Sequence, residues 1–191
     1  MILMPSVIEK VGTTSRAFDL PSKLLNDRIV YLQGCIDEDS ANNVIMQLLW
    51  LNSDSTEDIH LYINSEGGSI YQGLAIKDII DRIDCKVHTT GVGMCASMGA
   101  YLLFSGTGKR RVTKNCRLMI HSASSGNYGN VHDMKISMDE TLYVQNKMIE
   151  HISEFSNGVL SKVELEELTY RDKFLDGDEA ITLGLIDEIL K

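Results

Sequence analysis

Ser97 stands where a run of β-formers gives way to an apolar run. His88-Thr-Thr-Gly-Val-Gly-Met-Cys-Ala-Ser97 leads directly into Met98-Gly-Ala-Tyr-Leu-Leu-Phe104. A serine at a strand-to-helix junction exposes its hydroxyl at the head of a helix, where free N–H groups can receive a developing oxyanion. The same position suits an ordinary N-cap, and on this stretch alone capping is the favoured reading because serine is among the commonest caps. Acyl transfer needs more: a base within hydrogen-bond reach, a group that orients the base, and two N–H donors. Gly68, in the turn Ser65-Glu-Gly-Gly-Ser69, and Met98 can supply the donors. Glycine suits the first place because it lets backbone approach a substrate without a side chain. Of the five histidines, His60 and His88 lie in strand-like segments and His132 and His151 in a long helical run, whereas His121 ends a strand and is the best base. The orienting carboxylate stays open among Asp133, Asp172, Asp176, Asp178 and Asp187, since most aspartates are simply exposed. Cys95 is a rival nucleophile, ranked below Ser97 because an unpaired cysteine at an apolar strand end is more often packing material.

The elements that must position these residues alternate between the two periodicities. Arg28–Gln33 reads as a strand, and Asp37-Glu-Asp-Ser40 supplies capping and acidic residues ahead of a helix over Ala41–Leu51. Asp58–Asn64 is a second strand, followed by the glycine turn and a helix over Ile70–Ile83; Lys86–Val92 then leads to the helix after Ser97. Three strand-helix units in a row favour a parallel or mixed α/β sheet. Two such turns side by side at the C-terminal edge of parallel strands form the usual ligand crevice of open α/β sheets. Arg110–Thr113 and Arg117–His121 are two further strands, and Ser122–Asn130 is a loop or irregular extended arm. Val131–Ser156, free of Gly and Pro, predicts a helix long enough to protrude or to pack on another subunit. Helices over Lys162–Thr169 and Asp176–Leu183 follow, the latter closed by Gly184 ahead of a strand over Leu185–Leu190. Residues 1 to about 18 pair an apolar tip with a stretch of no sustained period and read as a flexible segment.

With 191 residues and 43% hydrophobic content, the chain can bury one substantial core, and no linker divides it, so a single domain over 1–191 is expected. A net charge of −9 argues against a nucleic-acid surface, and Lys109-Arg-Arg111 is too short a basic cluster to offset it. Cys35, Cys85, Cys95 and Cys116 have no metal-ligand spacing, and no signal peptide is evident, which favours a reduced, cytoplasmic setting with no metal. No apolar run is long enough to span a membrane. The surroundings of Ser97 are not Gly-x-Ser-x-Gly, and the order Ser–His–Asp that any aspartate after His121 would give differs from that of α/β-hydrolases.

Several segments together resemble the proteolytic subunit of the Clp protease, the ClpP family of serine peptidases. They are Leu61-Tyr-Ile-Asn-Ser-Glu-Gly-Gly-Ser-Ile70, Gly93-Met-Cys-Ala-Ser-Met-Gly-Ala100, Met119-Ile-His121, Arg171-Asp-Lys-Phe-Leu175, and Glu179-Ala180 with Gly184-Leu-Ile-Asp187. The resemblance covers essentially the whole chain. It implies Ser97 as nucleophile, His121 as base, Asp172 as the orienting aspartate and the N–H groups of Gly68 and Met98 as the oxyanion hole. The implied fold is the α/β crotonase-like ββα superhelix with a protruding handle helix, assembled as heptameric rings that stack into a closed barrel. The implied partners are a AAA+ unfoldase and unfolded polypeptide, with no cofactor bound by this chain, and residues 1–18 become axial loops. Departures sit beside function: Glu66 replaces a proline before the glycine turn, Ser122-Ala-Ser-Ser-Gly126 replaces Gln-Pro-x-Gly-Gly, and His60 takes a commonly aromatic place in the pocket that receives the ATPase. Tyr170 replaces an acidic residue beside Arg171 at the ring interface. These changes point to a divergent paralogue and leave two rival readings: a weakly active structural subunit modulating a sister ring, and the same fold stabilising a thioester enolate between Gly68 and Met98.

Overall fold

In the computed structural model, which describes residues 5–11, 14–126 and 128–191, the chain opens with an antiparallel hairpin of β1 (Ser6–Val11) and β2 (Thr14–Asp19). This corrects the expectation that the segment lacks strand character. Its pairing is local, Ser6 opposite Asp19 and Val11 opposite Thr14, in a two-stranded sheet separate from the main one, so it needs no period-2 apolar face. The apolar tip at Ile2, Leu3 and Met4 lies outside the described residues. Asp19 then caps a short helix that sequence reading passes over, α1 (Leu20–Asn26), by accepting the Ser22 N–H.

Three strand-helix units follow as expected: β3 (Ile29–Ile36) and α2 (Glu38–Asp54), β4 (Ile59–Gly68) and α3 (Ile70–Arg82), β5 (Val87–Ala96) and α4 (Met98–Phe104). Asp37 and Ser40 form a reciprocal capping box at the head of α2, and Ser69 caps α3. Ala41, Val44, Leu48 and Leu51 of α2 recur at helical spacing and are buried. β4 alternates buried and open positions along its whole length, so one face of the sheet meets the helices. All seven residues of α4 are buried, which is why its sequence is apolar throughout rather than amphipathic.

β6 (Arg110–Thr113) and β7 (Arg117–Ile120) both run parallel to β5, along different parts of its length. Next come the long helix α5 (Val131–Phe155), α6 (Lys162–Thr169), β8 (Lys173–Leu175), α7 (Gly177–Thr182) and β9 (Glu188–Leu190). The main sheet orders its strands β3-β4-β5-β6-β9, all parallel, while β7 leaves the path to pair antiparallel with β8. Gly184 ends α7 with φ of 69°, the Leu185 N–H reaching the Ala180 carbonyl and the Gly184 N–H that of Ile181, a Schellman closure. The last strand is shorter than expected because Leu185 and Ile186 turn into the core. Arg110 joins this end of the chain to the sheet: its guanidinium meets Asp187 at 2.8 Å and the Phe155 carbonyl at 2.6 Å. Burial pushes the Asp187 carboxyl up, but hydrogen bonds and charge from Arg110 outweigh it and hold the group below its ordinary range. α5 buries only Val144, Ile149 and Ile152, all in its second half; its first half carries Met134, Met138 and Leu142 exposed. No helix among the described residues is long and apolar enough to cross a membrane.

Candidate active site

The two glycine-bearing turns are pressed together. Ser65 Oγ donates to the Gly34 carbonyl and accepts the Gly67 N–H at 3.0 Å, which holds the first turn. A Cβ on Gly67 would lie 2.8 Å from Ser97 Cβ and 2.9 Å from Met98 N, and φ of 98° there is a glycine conformation. A Cβ on Gly68 would strike the Ile36 carbonyl oxygen at 2.3 Å, and one on Gly99 the Ser65 carbonyl oxygen at 2.7 Å. Gly67 and Gly99 are what lets the ends of β4 and β5 lie against each other, and Gly68 lets the turn lie against the end of β3.

Ser97 sits at the end of β5 with φ of 53° and ψ of −122°, strained for a residue with a side chain. Its N–H donates to the Met119 carbonyl at 2.8 Å and its carbonyl accepts the Tyr101 N–H at 3.0 Å, so backbone bonds on both sides maintain the turn. The side chain makes no capping bond to α4, which corrects the capping reading: the positive φ swings Oγ away from the helix N–H groups. Oγ instead lies 2.8 Å from His121 Nε2. The pairing of β5 with β7 explains this meeting. Ala96 lies opposite Met119, so the residues just past the two strand ends fall beside each other.

The β7–β8 pairing brings the third group. Ile120 faces Lys173, and the next step of that antiparallel register sets His121 opposite Asp172. Asp172 Oδ1 lies 3.8 Å from His121 Nδ1, beyond hydrogen-bond length, with its side chain 65% exposed. Its rivals are occupied elsewhere. Asp187 is paired with Arg110, Asp176 caps α7 through Glu179 N–H, Asp178 lies in that helix's first turn, and Asp133 pairs with Asn130 at the head of α5.

The other histidines have structural partners or open surroundings. His88 bonds Asp58 at 2.8 Å and accepts the Lys109 N–H while stacking on His60, His151 meets the Tyr101 hydroxyl at 2.5 Å, and His132 is exposed on α5. Cys95 is fully buried, its Sγ against the Ile63 carbonyl; the neighbouring Cys116 and burial push its thiol far up, so it is no thiolate. Among the described residues no cluster of His, Cys, Asp or Glu could hold a metal.

Gly68, Ser97 and His121 open onto one pocket walled by Ile70, Ile120, Met148, Ile149 and Ile152, with Ser122, Ala123, Ser124, Gln145 and Thr169 at its polar side. The wall from α5 was not singled out from sequence; the i, i+4 stripe of Gln145, Ile149 and of Met148, Ile152 was the available signal. β8 was also missed, being three residues long. Tyr170 is 74% exposed, and the Arg171 guanidinium lies over its ring at 5.5 Å.

A serine hydroxyl hydrogen-bonded to an imidazole, at a strained strand-to-helix turn of a parallel α/β sheet, is a serine-hydrolase arrangement outside the Gly-x-Ser-x-Gly group. Residues 12–191 match the Clp protease family. The chain is 42% identical over 190 residues to the ATP-dependent Clp protease proteolytic subunit 2 of Parasynechococcus marenigrum (strain WH8102), covering 98% of this chain and 95% of that one. It shares 42% with the proteolytic subunit 1 of Synechococcus sp. (strain CC9902) over 190 residues and 41% with that of Prochlorococcus marinus (strain NATL2A) over 189, with the same coverage of both chains. The chain belongs to the Clp protease family, a family of serine peptidases, and its α/β fold is that family's.

Proposed function

We propose that this chain is a serine endopeptidase subunit that cleaves unfolded polypeptide through Ser97, His121 and Asp172. The observation that carries the reading is the 2.8 Å approach of Ser97 Oγ to His121 Nε2 at a backbone held in a strained conformation. His121 takes the Ser97 proton as Oγ attacks the peptide carbonyl, and the N–H groups of Gly68 and Met98 receive the oxyanion. The protonated imidazole then gives its proton to the leaving amine, and water, deprotonated by the same base, releases the acyl group from Ser97. Asp172 holds the imidazole in the tautomer this requires; the 3.8 Å gap closes when substrate orders the site. Heptameric rings enclose the serines, with Tyr170 and Arg171 at the ring interface, α5 as the ring-to-ring handle and the N-terminal hairpin as an axial loop. A AAA+ unfoldase feeds the barrel, in the cytoplasm, and its ATP chemistry leaves this chain without a cofactor.

Ser97→Ala tests the assignment: peptide hydrolysis and fluorophosphonate labelling should vanish while circular dichroism and assembly stay unchanged. Undiminished turnover would sink it.

A second reading, a weakly active subunit that modulates a sister ring in a mixed assembly, is favoured by two observations. Arg171 is turned onto Tyr170, and Asp172 lies outside hydrogen-bond range of His121. Native mass measurement of the chain alone and mixed with a sister subunit, with active-site labelling of each species, decides between them. Full activity of the chain alone as a stacked double ring eliminates the second reading.

A further inference from the structure

Residues 122–126, which follow His121, belong to no strand or helix; Ser122, Ala123 and Ser124 line the pocket, and α5 holds the segment with side chains. Gln145 Oε1 accepts the Ala123 N–H at 3.1 Å, and Thr141 Oγ1, which donates to the Ser137 carbonyl at 2.8 Å, lies 3.1 Å from Ser125 Oγ. Thr141 and Gln145 are four apart and share a helix face, which faces Ala123 and Ser125 of the segment. Ser122, pointing the other way, sends both its N–H and its Oγ to the Thr169 carbonyl, at 2.7 and 2.9 Å. The segment is therefore clamped at its start and tethered from α5, beside the pocket that Ser124 lines.

We infer that Gln145 is a positioning residue for substrate, acting through the Ala123 N–H. The inference rests on the reading of Ser97 as nucleophile. Of the Gln145 amide only the carbonyl oxygen can accept from that N–H, so it is committed to it, and no other acceptor meets this donor among the described residues. An extended peptide passing Ser97 needs a fixed backbone edge to pair with, as in strand addition at a sheet edge. A strand belonging to the sheet has its edge fixed by a neighbouring strand. Here Gln145 and Thr141 do that from a helix, so the rigidity of the docking edge, and with it peptide affinity, depends on a helical side chain outside the triad. The Ser97–His121 pair has its own supports in the β5–β7 and β7–β8 pairings and does not need Gln145.

The test compares Gln145→Met, which keeps an unbranched side chain of similar length and helix propensity but no strong acceptor, with Gln145→Glu, which keeps one. In the full chain, Gln145→Met should raise KM for a peptide substrate about tenfold with kcat within about twofold, and Gln145→Glu should restore most of it. Labelling of Ser97 by a small fluorophosphonate, which pairs with no backbone edge, should proceed at the wild-type rate in both. Amide exchange over residues 121–126 should quicken in the Met variant and recover in the Glu variant. Unchanged KM and exchange in Gln145→Met, no rescue by Gln145→Glu, or a fall in labelling that tracks the loss of activity would each overturn the inference. Absence of labelling in the wild type would overturn the reading of Ser97 instead, and with it any claim on substrate, whatever the exchange data show.

Discussion

At Gly67 a single methyl group decides the site. It would need the space of Ser97 Cβ and Met98 N on a backbone whose φ of 98° already disfavours a side chain. Gly67→Ala should therefore lower stability by more than about 1 kcal/mol and remove Ser97 labelling, measured by denaturant unfolding and a fluorophosphonate probe. Unaltered labelling would show that the two turns can separate without loss. Asp172→Asn belongs to the same scale. An asparagine cannot stabilise the imidazolium, and peptide turnover should fall by about 10² or more with Ser97 and His121 unmoved. A loss within twofold would mean that Asp172 stays at its resting distance throughout the reaction. Ser97 and His121 were legible from residue type and strand-end position. Asp172 was not: as one of five candidates it differed from the others in nothing local, and only the resemblance picked it out before the β7–β8 register set it opposite His121.

Helices and strands were largely legible where an amphipathic period met a cap, as at Asp37 and Ser40 ahead of α2. They were hidden where tertiary pairing creates the element, as with β8, whose three residues are strand only because β7 lies alongside. α5 shows both sides. Its length was readable from the absence of Gly and Pro, but not the division of labour between a projecting first half and a second half that walls the pocket. The second half also carries His151, whose Nδ1 shares a hydrogen bond with the hydroxyl of the buried Tyr101. Burial, then the charge of Lys77, pulls the His151 pKa below its ordinary 6.5. The unfolded chain thus binds its proton at higher pH than the folded one. Stability should be level above 6.5 and fall as pH drops through the window beneath it, with His60, depressed by burial and by His88 and Arg111, adding in the same direction. Urea midpoints across that window read the effect; a flat profile would mean that Tyr101 finds another partner at no cost.

For the whole molecule, the first half of α5 leaves a group of apolar side chains exposed. Met134, Met138 and Leu142 recur every four residues, a stripe that a lone subunit leaves in water. If α5 is the ring-to-ring handle, Leu142→Asp should convert a double-ring species to single rings in native mass measurement, because burying an unpaired carboxylate at each copy of a symmetric interface is costly. Retention of the double ring would place the contact elsewhere. The same substitution lies one residue from Thr141, so its effect on peptide KM would also show whether assembly reaches the tether at Ala123.

From its sequence alone the chain declares three strand-helix units, a glycine turn before one helix and a serine before another, a histidine at a strand end, and a family resemblance that names their roles. Those are properties of local period, cap chemistry and residue type, which the order of side chains carries without reference to distant partners. Tertiary structure decided what depends on partners far along the chain. Ser97 takes φ of 53° and leaves α4 uncapped because the Met119 and Tyr101 bonds hold it there. His121 meets Ser97 through one strand register and faces Asp172 through another, and the segment after it is held by a helix rather than a sheet. Register and close approach are sums over contacts between separate segments, and no single segment contains them.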